Sequence, residues 1–281
     1  MTLGIVAGGG PLPGQVAGAA RAAGRGVFVV ALEGYADARV IGGFPHAVVR
    51  LGAVGAAMAA LRRAGCVEIV LAGPVRRPSL LDLRPDATGA KLLARVGRAA
   101  FAGDDGFLAA IVRVLGEEGF RVLGAHEVMA EALAPAGLLT RAAPDVAALA
   151  DIARGVAVLR ALGAADVGQA CVVQQGIVLA VEAIEGTDAM LARVAELARP
   201  GPGGVLVKLV KPGQDRRADL PTLGAETVVQ ARGAGLRGVA FEAAGAILIE
   251  RAAMVAMADG SGLFLLGIDP ESPHYQQGRP V

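Results

Sequence analysis

Between Lys208 and Thr222 the chain reads Lys208-Leu-Val-Lys211-Pro-Gly-Gln-Asp215-Arg216-Arg217-Ala-Asp219-Leu-Pro-Thr222. Four cations and two carboxylates share this short span, directly after an apolar run. Cationic side chains can clamp phosphate oxygens, and a carboxylate can hold Mg2+ against them. Charge neutralisation, a positioned water and a Lewis-acid metal are the parts phosphoryl transfer needs. A solvated charged loop accounts for the same residue types. Asp219 or Thr222 could also serve as the N-cap of a helix expected over Thr222–Ala234.

Three other stretches carry candidate chemistry. Gly8-Gly9-Gly10 follows an apolar run and precedes a helical one. Glycines let the backbone approach phosphate, and free N–H groups at a helix start favour an anion. Gly8 and Gly10 fit the first two positions of a dinucleotide fingerprint, Pro13 breaks the third, and Glu33 stands where a ribose-binding acid belongs. A nicotinamide-dependent oxidoreductase therefore stays open, as does a plain tight turn. Gly73-Pro74-Val75 ends a third apolar run and belongs at the same sheet edge. In Glu182-Ala-Ile-Glu-Gly-Thr187-Asp188, Thr187 can cap a helix and Asp188 suits its first turn. Capping does not explain Glu182 inside an apolar run. Gly103-Asp104-Asp105 reads as a helix cap or dipole partner, and His126-Glu127 as a structural pair that could also hydrogen-bond a substrate. His46 and His274 have no motif around them.

The elements that must position these residues form an α/β pattern. Leu3–Ala7, Val27–Leu32 and Val67–Ala72 are short apolar runs expected as strands, and Gln15–Ala23 and Val54–Ala64 as helices. Strand, glycine loop, helix and strand in this order make a βαβ unit with a buried parallel sheet. Helical patterns follow at Leu80–Leu83, Lys91–Ala100 and Phe107–Glu118, then a short strand at Arg121–Leu123. A linker is expected within Ala130–Pro144. Beyond it come a helix at Val146–Leu162 and a hairpin around Gln175-Gly176. A helix at Asp188–Leu197, a strand at Val205–Val210 and a further strand–helix alternation complete the pattern. The expected domains are 1–132 and 145–270, with a polar tail at 271–281.

Composition sets the outer bounds. At 281 residues the chain is long enough for two domains, and 54% hydrophobic residues supply a large core. Lys and Arg total 27 against 26 Asp and Glu, so a net charge of +1 provides no global field for DNA or RNA. The 3% aromatics and the lack of tryptophan argue against stacking platforms for single strands as well, which leaves room only for a local basic cluster. Cys66 and Cys171 are far apart and read as two buried, reduced thiols. The uncharged N-terminus contains Gly8-Gly9-Gly10, Pro11 and Pro13 and lacks a basic leader, so it reads as a strand and loop of a cytoplasmic protein.

The whole pattern up to about Pro270 resembles one family, the UDP-2,3-diacylglucosamine pyrophosphatases of lipid A biosynthesis, LpxI type. The resemblance rests on Gly4-Ile-Val-Ala-Gly-Gly-Gly10-Pro-Leu-Pro13, Gly124-Ala-His-Glu-Val-Met129, Asp166-Val-Gly-Gln169, the segment from Leu179 through Glu-Gly-Thr-Asp to Leu191, and Asp219-Leu-Pro-Thr222. It implies an α/β protein of two domains, an N-terminal Rossmann-like parallel sheet and a C-terminal mixed α/β domain, with the active site between them. It also implies Mg2+-dependent hydrolysis of UDP-2,3-diacylglucosamine to UMP and 2,3-diacylglucosamine 1-phosphate. By the same resemblance Asp219 is the catalytic, metal-holding aspartate, and Gly10, Gly73, Gln169, Thr187 and Asp188 line the substrate site. Lys208 and Lys211 are expected to offset charge on the diphosphate. A lipid substrate implies contact with the inner-membrane surface and leaves room for a homodimer. A non-catalytic carrier of a nucleotide-linked lipid is the remaining alternative.

Overall fold

The computed structural model describes residues 1–76, 83–96 and 104–273. The expectations at Leu80–Leu83, the end of Lys91–Ala100, Gly103-Asp104-Asp105, His274 and the polar tail fall wholly or in part outside the described residues. Contacts divide the chain into two compact units, Met1–Glu131 with Gln214–Asp219, and Ala132–Gly213 with the residues from Leu220 on.

The first unit is built on strands β1 (Thr2–Ala7), β2 (Gly26–Leu32), β3 (His46–Val49), β4 (Cys66–Ala72) and β5 (Arg121–Leu123). All pair in parallel, in the order β3-β2-β1-β4-β5. Such a sheet must be covered on both faces. Helices α1 (Leu12–Ala22), α2 (Ala38–Ile41), α3 (Val54–Arg63), α4 (Ala87–Val96), α5 (Asp104–Glu117) and α6 (Ala125–Val128) lie between and after the strands. Val16, Ala17 and Ala20 form the buried stripe of α1. Met58 and Leu61 of α3 join Val112 and Leu115 of α5 in one core cluster with Ile69 and Val122. Helix α1 starts at Leu12, three residues before the expected Gln15, because a proline in the first turn lacks only an N–H that has no helical partner there. The chain winds from β1 outward to β3, then returns to lay β4 on the other side of β1. The reversal makes the gap between β1 and β4 a topological switch point, where open α/β sheets bind ligands.

In the second unit, β6 (Gly137–Leu138), β7 (Ala170–Gln174), β8 (Ile177–Val181), β9 (Val205–Lys208), β11 (Gly238–Glu242) and β13 (Phe264–Ile268) form a mixed sheet in the order β6-β13-β11-β9-β7-β8. Strands β9, β11 and β13 are parallel, whereas β6, β7 and β8 pair antiparallel with their neighbours. Both faces are buried, and period-2 alternation sorts the side chains between them. Cys171, Val173, Val205 and Val207 pack on Ile152, Val156 and Leu159 of helix α7 (Val146–Ala164). Val172, Leu206, Val239 and Leu265 pack on α8 (Gly186–Leu197), α9 (Ala225–Gly233) and α10 (Arg251–Ser261). The expected hairpin joins β7 to β8, with Gln175 and Gly176 both at positive φ, 54° and 76°, as a type I′ turn requires.

Two expectations about local structure are corrected. Within Ala130–Pro144, expected as a linker, Gly137–Leu138 pairs with β13 as an edge strand. Thr222 does not begin a helix. Thr222–Leu223 forms strand β10, parallel to β12 (Ile247–Leu248), and Gly224 is the N-cap of α9. Neither Asp219 nor Thr222 is therefore a helix cap.

Candidate active site

In the first unit the loops after β1 and β4 interlock at the switch point. Gly8 donates its N–H to the Ala72 carbonyl at 2.8 Å, and Gly9 donates to the Pro74 carbonyl at 2.9 Å. A Cβ on Gly8 would lie 2.5 Å from the Gly73 oxygen, and one on Gly73 would lie 2.2 Å from the Gly9 oxygen. The glycines thus serve backbone-to-backbone packing. The sequence reading left these N–H groups free for an anion, and in the structure those of Gly8 and Gly9 are committed to carbonyls. Gly10, at φ +70° and exposed, is the glycine that faces solvent. Glu33 is exposed just past β2, and its N–H bonds the Val49 carbonyl.

Asp219 belongs to the first unit through the segment Gln214–Asp219. The segment closes a turn, with the N–H groups of Ala218 and Asp219 both donating to the Asp215 carbonyl. Ala218 packs on the β4–α5 cluster of that unit. Asp215 is held by Arg217, whose Nη2 and Nε donate to it at 2.7 and 3.0 Å. Arg217's side-chain hydrogen bonds keep the Asp215 carboxyl below its ordinary range, against burial, which acts the other way. The carboxylate of half-buried Asp219 accepts from the amide of buried Gln214 at 2.7 Å. In the same unit, though far away in sequence, the His126-Glu127 pair is structural on its Glu side, since Glu127 caps α6 by accepting the Gly124 N–H at 2.8 Å. Burial holds the His126 imidazole below its ordinary pKa, with Arg216 acting in the same direction and Glu127 against it.

In the second unit Gln169, Thr187, Asp188, Lys208 and Lys211 come to one edge of the sheet. Lys208 ends β9, Glu182 follows β8, Gln169 precedes the antiparallel β7, and Thr187 and Asp188 open α8. Alternation explains the direction of two of these. Leu206 and Ala180 face the α8 side of the sheet, so Lys208 and Glu182, two residues further along their strands, face it too. Lys208 Nζ donates to Thr187 Oγ1 at 2.9 Å, and Thr187 Oγ1 donates to Glu182 at 2.6 Å. Thr187 is not the helix cap the sequence suggested, since Glu185 occupies that position and makes no side-chain cap bond. Lys211 forms an ion pair with Asp166, and Gln169 accepts the Leu209 N–H at 3.0 Å. A cavity of about 250 Å3 opens at this edge, lined in part by Arg160, Val210, Lys211, Glu242 and Asp269. Asp188 lies exposed in the first turn of α8. Gln214 and Asp166, the partners of Asp219 and Lys211, lie in motifs quoted from the sequence but were given no role there, since no local signal pairs them with those residues.

A divalent ion can be tested against this donor set. Among the described residues no group of three or more His, Cys, Asp or Glu side chains converges to hold a metal. Mg2+ commonly takes one or two carboxylates and completes its shell with waters and substrate phosphates. Asp219 fits an ion held against a diphosphate in that way, and does not fit an all-protein cage.

Two α/β units, each gathering small or polar candidate residues at one edge of its sheet, have the form of an α/β enzyme acting on a bound small molecule. The comparisons specify the family. The family models for the LpxI N-terminal domain and the LpxI C-terminal domain match residues 2–132 and 135–266. The chain is 44% identical over 275 residues to the UDP-2,3-diacylglucosamine pyrophosphatase LpxI of Caulobacter vibrioides, an alignment covering 96% of this chain and 98% of that protein. The chain belongs to the LpxI family and is a hydrolase.

Proposed function

We propose that this protein hydrolyses the diphosphate bond of UDP-2,3-diacylglucosamine, giving UMP and 2,3-diacylglucosamine 1-phosphate, as a Mg2+-dependent step of lipid A biosynthesis. The observation that carries the reading is the near full-length similarity to the Caulobacter vibrioides enzyme. Asp219 is the catalytic carboxylate, kept in one orientation by the Gln214 amide and by the turn on Asp215. Asp219 would hold Mg2+, which when bound supplies a Lewis acid to the diphosphate oxygens. Lys208 uses two of its three N–H donors, on Thr187 and on the Thr222 carbonyl at 3.5 Å, and the third has no protein partner among the described residues. That donor is directed to phosphate oxygen, where it offsets negative charge developing on the leaving group. Gly10 and Gly73 bring backbone close to the ligand, and Gln169, Thr187, Asp188 and Lys211 complete the contacts. No helix among the described residues is long and apolar enough to cross a membrane. Contact with lipid at the inner-membrane surface, from the cytoplasm, is supported by Ile184, an apolar side chain 100% exposed three residues before Thr187.

The test is release of UMP from UDP-2,3-diacylglucosamine with and without Mg2+. Metal-dependent UMP release is expected. Asp219→Ala should lower turnover by about a hundredfold or more while the protein stays folded. Substrate binding without UMP would make the protein a carrier, and NAD binding without Mg2+ dependence would favour an oxidoreductase. Near-full activity of Asp219→Ala would overturn the role given to that carboxylate.

A further inference from the structure

Glu182 is a buried carboxylate, 7% exposed, to which the reading above gives no task. It sits in a closely packed place. Its N–H donates to the Ala170 carbonyl at 2.8 Å, which prolongs the β7–β8 ladder by one residue. A Cβ on Gly168 would lie 2.0 Å from the Glu182 backbone carbonyl oxygen, so only glycine allows the α7–β7 loop to pass so close. The side chain accepts from Thr187 Oγ1 at 2.6 Å and from the Gln169 N–H at 3.3 Å.

The direction of the hydrogen bonds is fixed by chemistry. A lysine ammonium can only donate. Thr187 Oγ1 therefore accepts from Lys208, and its single proton is left for the carboxylate. A hydroxyl held from both sides has one orientation. A buried carboxylate and a buried ammonium, joined through one hydroxyl, also satisfy each other's charge within the fold.

We infer that Glu182 is a positioning residue for the hydrolytic site, one carboxylate that orients Thr187 and Gln169 directly and the Lys208 ammonium through Thr187. The inference rests on the proposed function, in which those residues contact the diphosphate ligand. Glu182 is given no contact with substrate in this reading, so its effect runs chiefly through Thr187 and Lys208, Gln169 being held only by the longer bond from its backbone N–H.

A double-mutant cycle on the full-length protein tests this. Glu182→Ala is expected to lower kcat for UMP release about thirtyfold, with KM moving less than about threefold, the size of one lost hydrogen bond to a charged group. In a Lys208→Ala background the same change should cost less than about threefold, because the residue it acts through is gone. Glu182→Gln keeps a carbonyl for the Thr187 proton and should recover activity to within about fivefold of the unmodified protein. Thr187→Val cuts the same link without removing the carboxylate. It should lower kcat at least as much as Glu182→Ala, because Thr187 also contacts the ligand, and if Glu182→Ala fails to fold, Glu182→Gln takes its place in the cycle, its effect again expected to vanish in the Lys208→Ala background. Full additivity with Lys208→Ala overturns the inference, as does a folded Glu182→Gln no better than Glu182→Ala, or a Thr187→Val with unchanged kcat. Failure of the unmodified protein to release UMP would refute the function, and the Kd for UDP-2,3-diacylglucosamine, measured by calorimetry across the same variants, would then carry the same cycle.

Discussion

Replacing Gly73 by alanine should destabilise the first unit by about 2–5 kcal/mol, and the figure can be divided into two causes. The residue lies at φ +88°, where an L side chain costs about 1–2 kcal/mol. The new Cβ would also sit 2.2 Å from the Gly9 carbonyl oxygen. That oxygen cannot retreat easily, because Gly9 donates to Pro74 and Gly8 donates to Ala72, which hold the two loops in register. Forced overpacking of this kind costs about 1–3 kcal/mol. Gly24 supplies the control. It has a similar φ of +73°, but nothing lies within 4 Å of its would-be Cβ. Gly24→Ala should therefore cost only the conformational part, about 1 kcal/mol. Urea unfolding read by hydrogen exchange at peptides from β1 and β4 reports this unit separately from the other. With a slope of about 2 kcal/mol per molar urea, Gly73→Ala should unfold at about 1 M less denaturant than Gly24→Ala. Equal midpoints for the two variants would show that the loops after β1 and β4 are not locked together as described.

Further outcomes follow from the second unit and from α6. Burial pushes the Cys171 thiol up to about 12, so it should resist thiol reagents at pH 8 until the protein is unfolded. Because its folded pKa lies above the ordinary value near 9, its stabilising contribution is complete below pH 9 and is lost as pH rises from 9 through 12, which urea midpoints against pH would record. The His126 ring should titrate below the ordinary 6.5 in a proton NMR titration, and the stability linked to it should fall as pH drops below that value. Asp151, 1% exposed, accepts the N–H groups of Gln175 and Gly176 and an Arg237 Nη2, so Asp151→Ala should cost about 3 kcal/mol in urea unfolding of the β7–β8 hairpin.

The local grammar of the chain was readable where a residue type admits few conformations. Gln175-Gly176 between two apolar runs admits a tight hairpin, and Gly8-Gly9-Gly10 after a buried strand admits a close turn into a helix. Asp219-Leu-Pro-Thr222 was less transparent. Polar residues and a proline ahead of Glu226 and Val228 resemble a helix start, yet Thr222 and Leu223 pair with Ile247 and Leu248, a contact no local signal announces. The same holds for Lys211 with Asp166, an ion pair between residues 45 apart. Gln214–Asp219 is a sharper case. A short polar segment late in the chain belongs by contacts to the unit formed at its beginning. Glu182 stood out from sequence as an unexplained charge in an apolar run, and only the fold shows that Thr187 and Gln169 meet it.

The cluster that looked like a set of free cations is in the structure a set of satisfied ones. Lys211 is paired with Asp166, Arg217 with Asp215, and Lys208 with Glu182 by way of a hydroxyl. With a net charge of +1 over the chain, no long-range field compensates for that pairing. An anion is then bound by the donors that remain after the internal bonds are made, and those donors have fixed positions because the internal bonds fix them. Lys208 shows the consequence most directly. Its place at the end of β9 follows from strand alternation, its orientation from Thr187, and the orientation of Thr187 from a carboxylate on the neighbouring part of the sheet. If the proposed diphosphate binds at this edge, its recognition depends on geometry before it depends on charge, so a misplaced hydroxyl should matter as much as a missing cation.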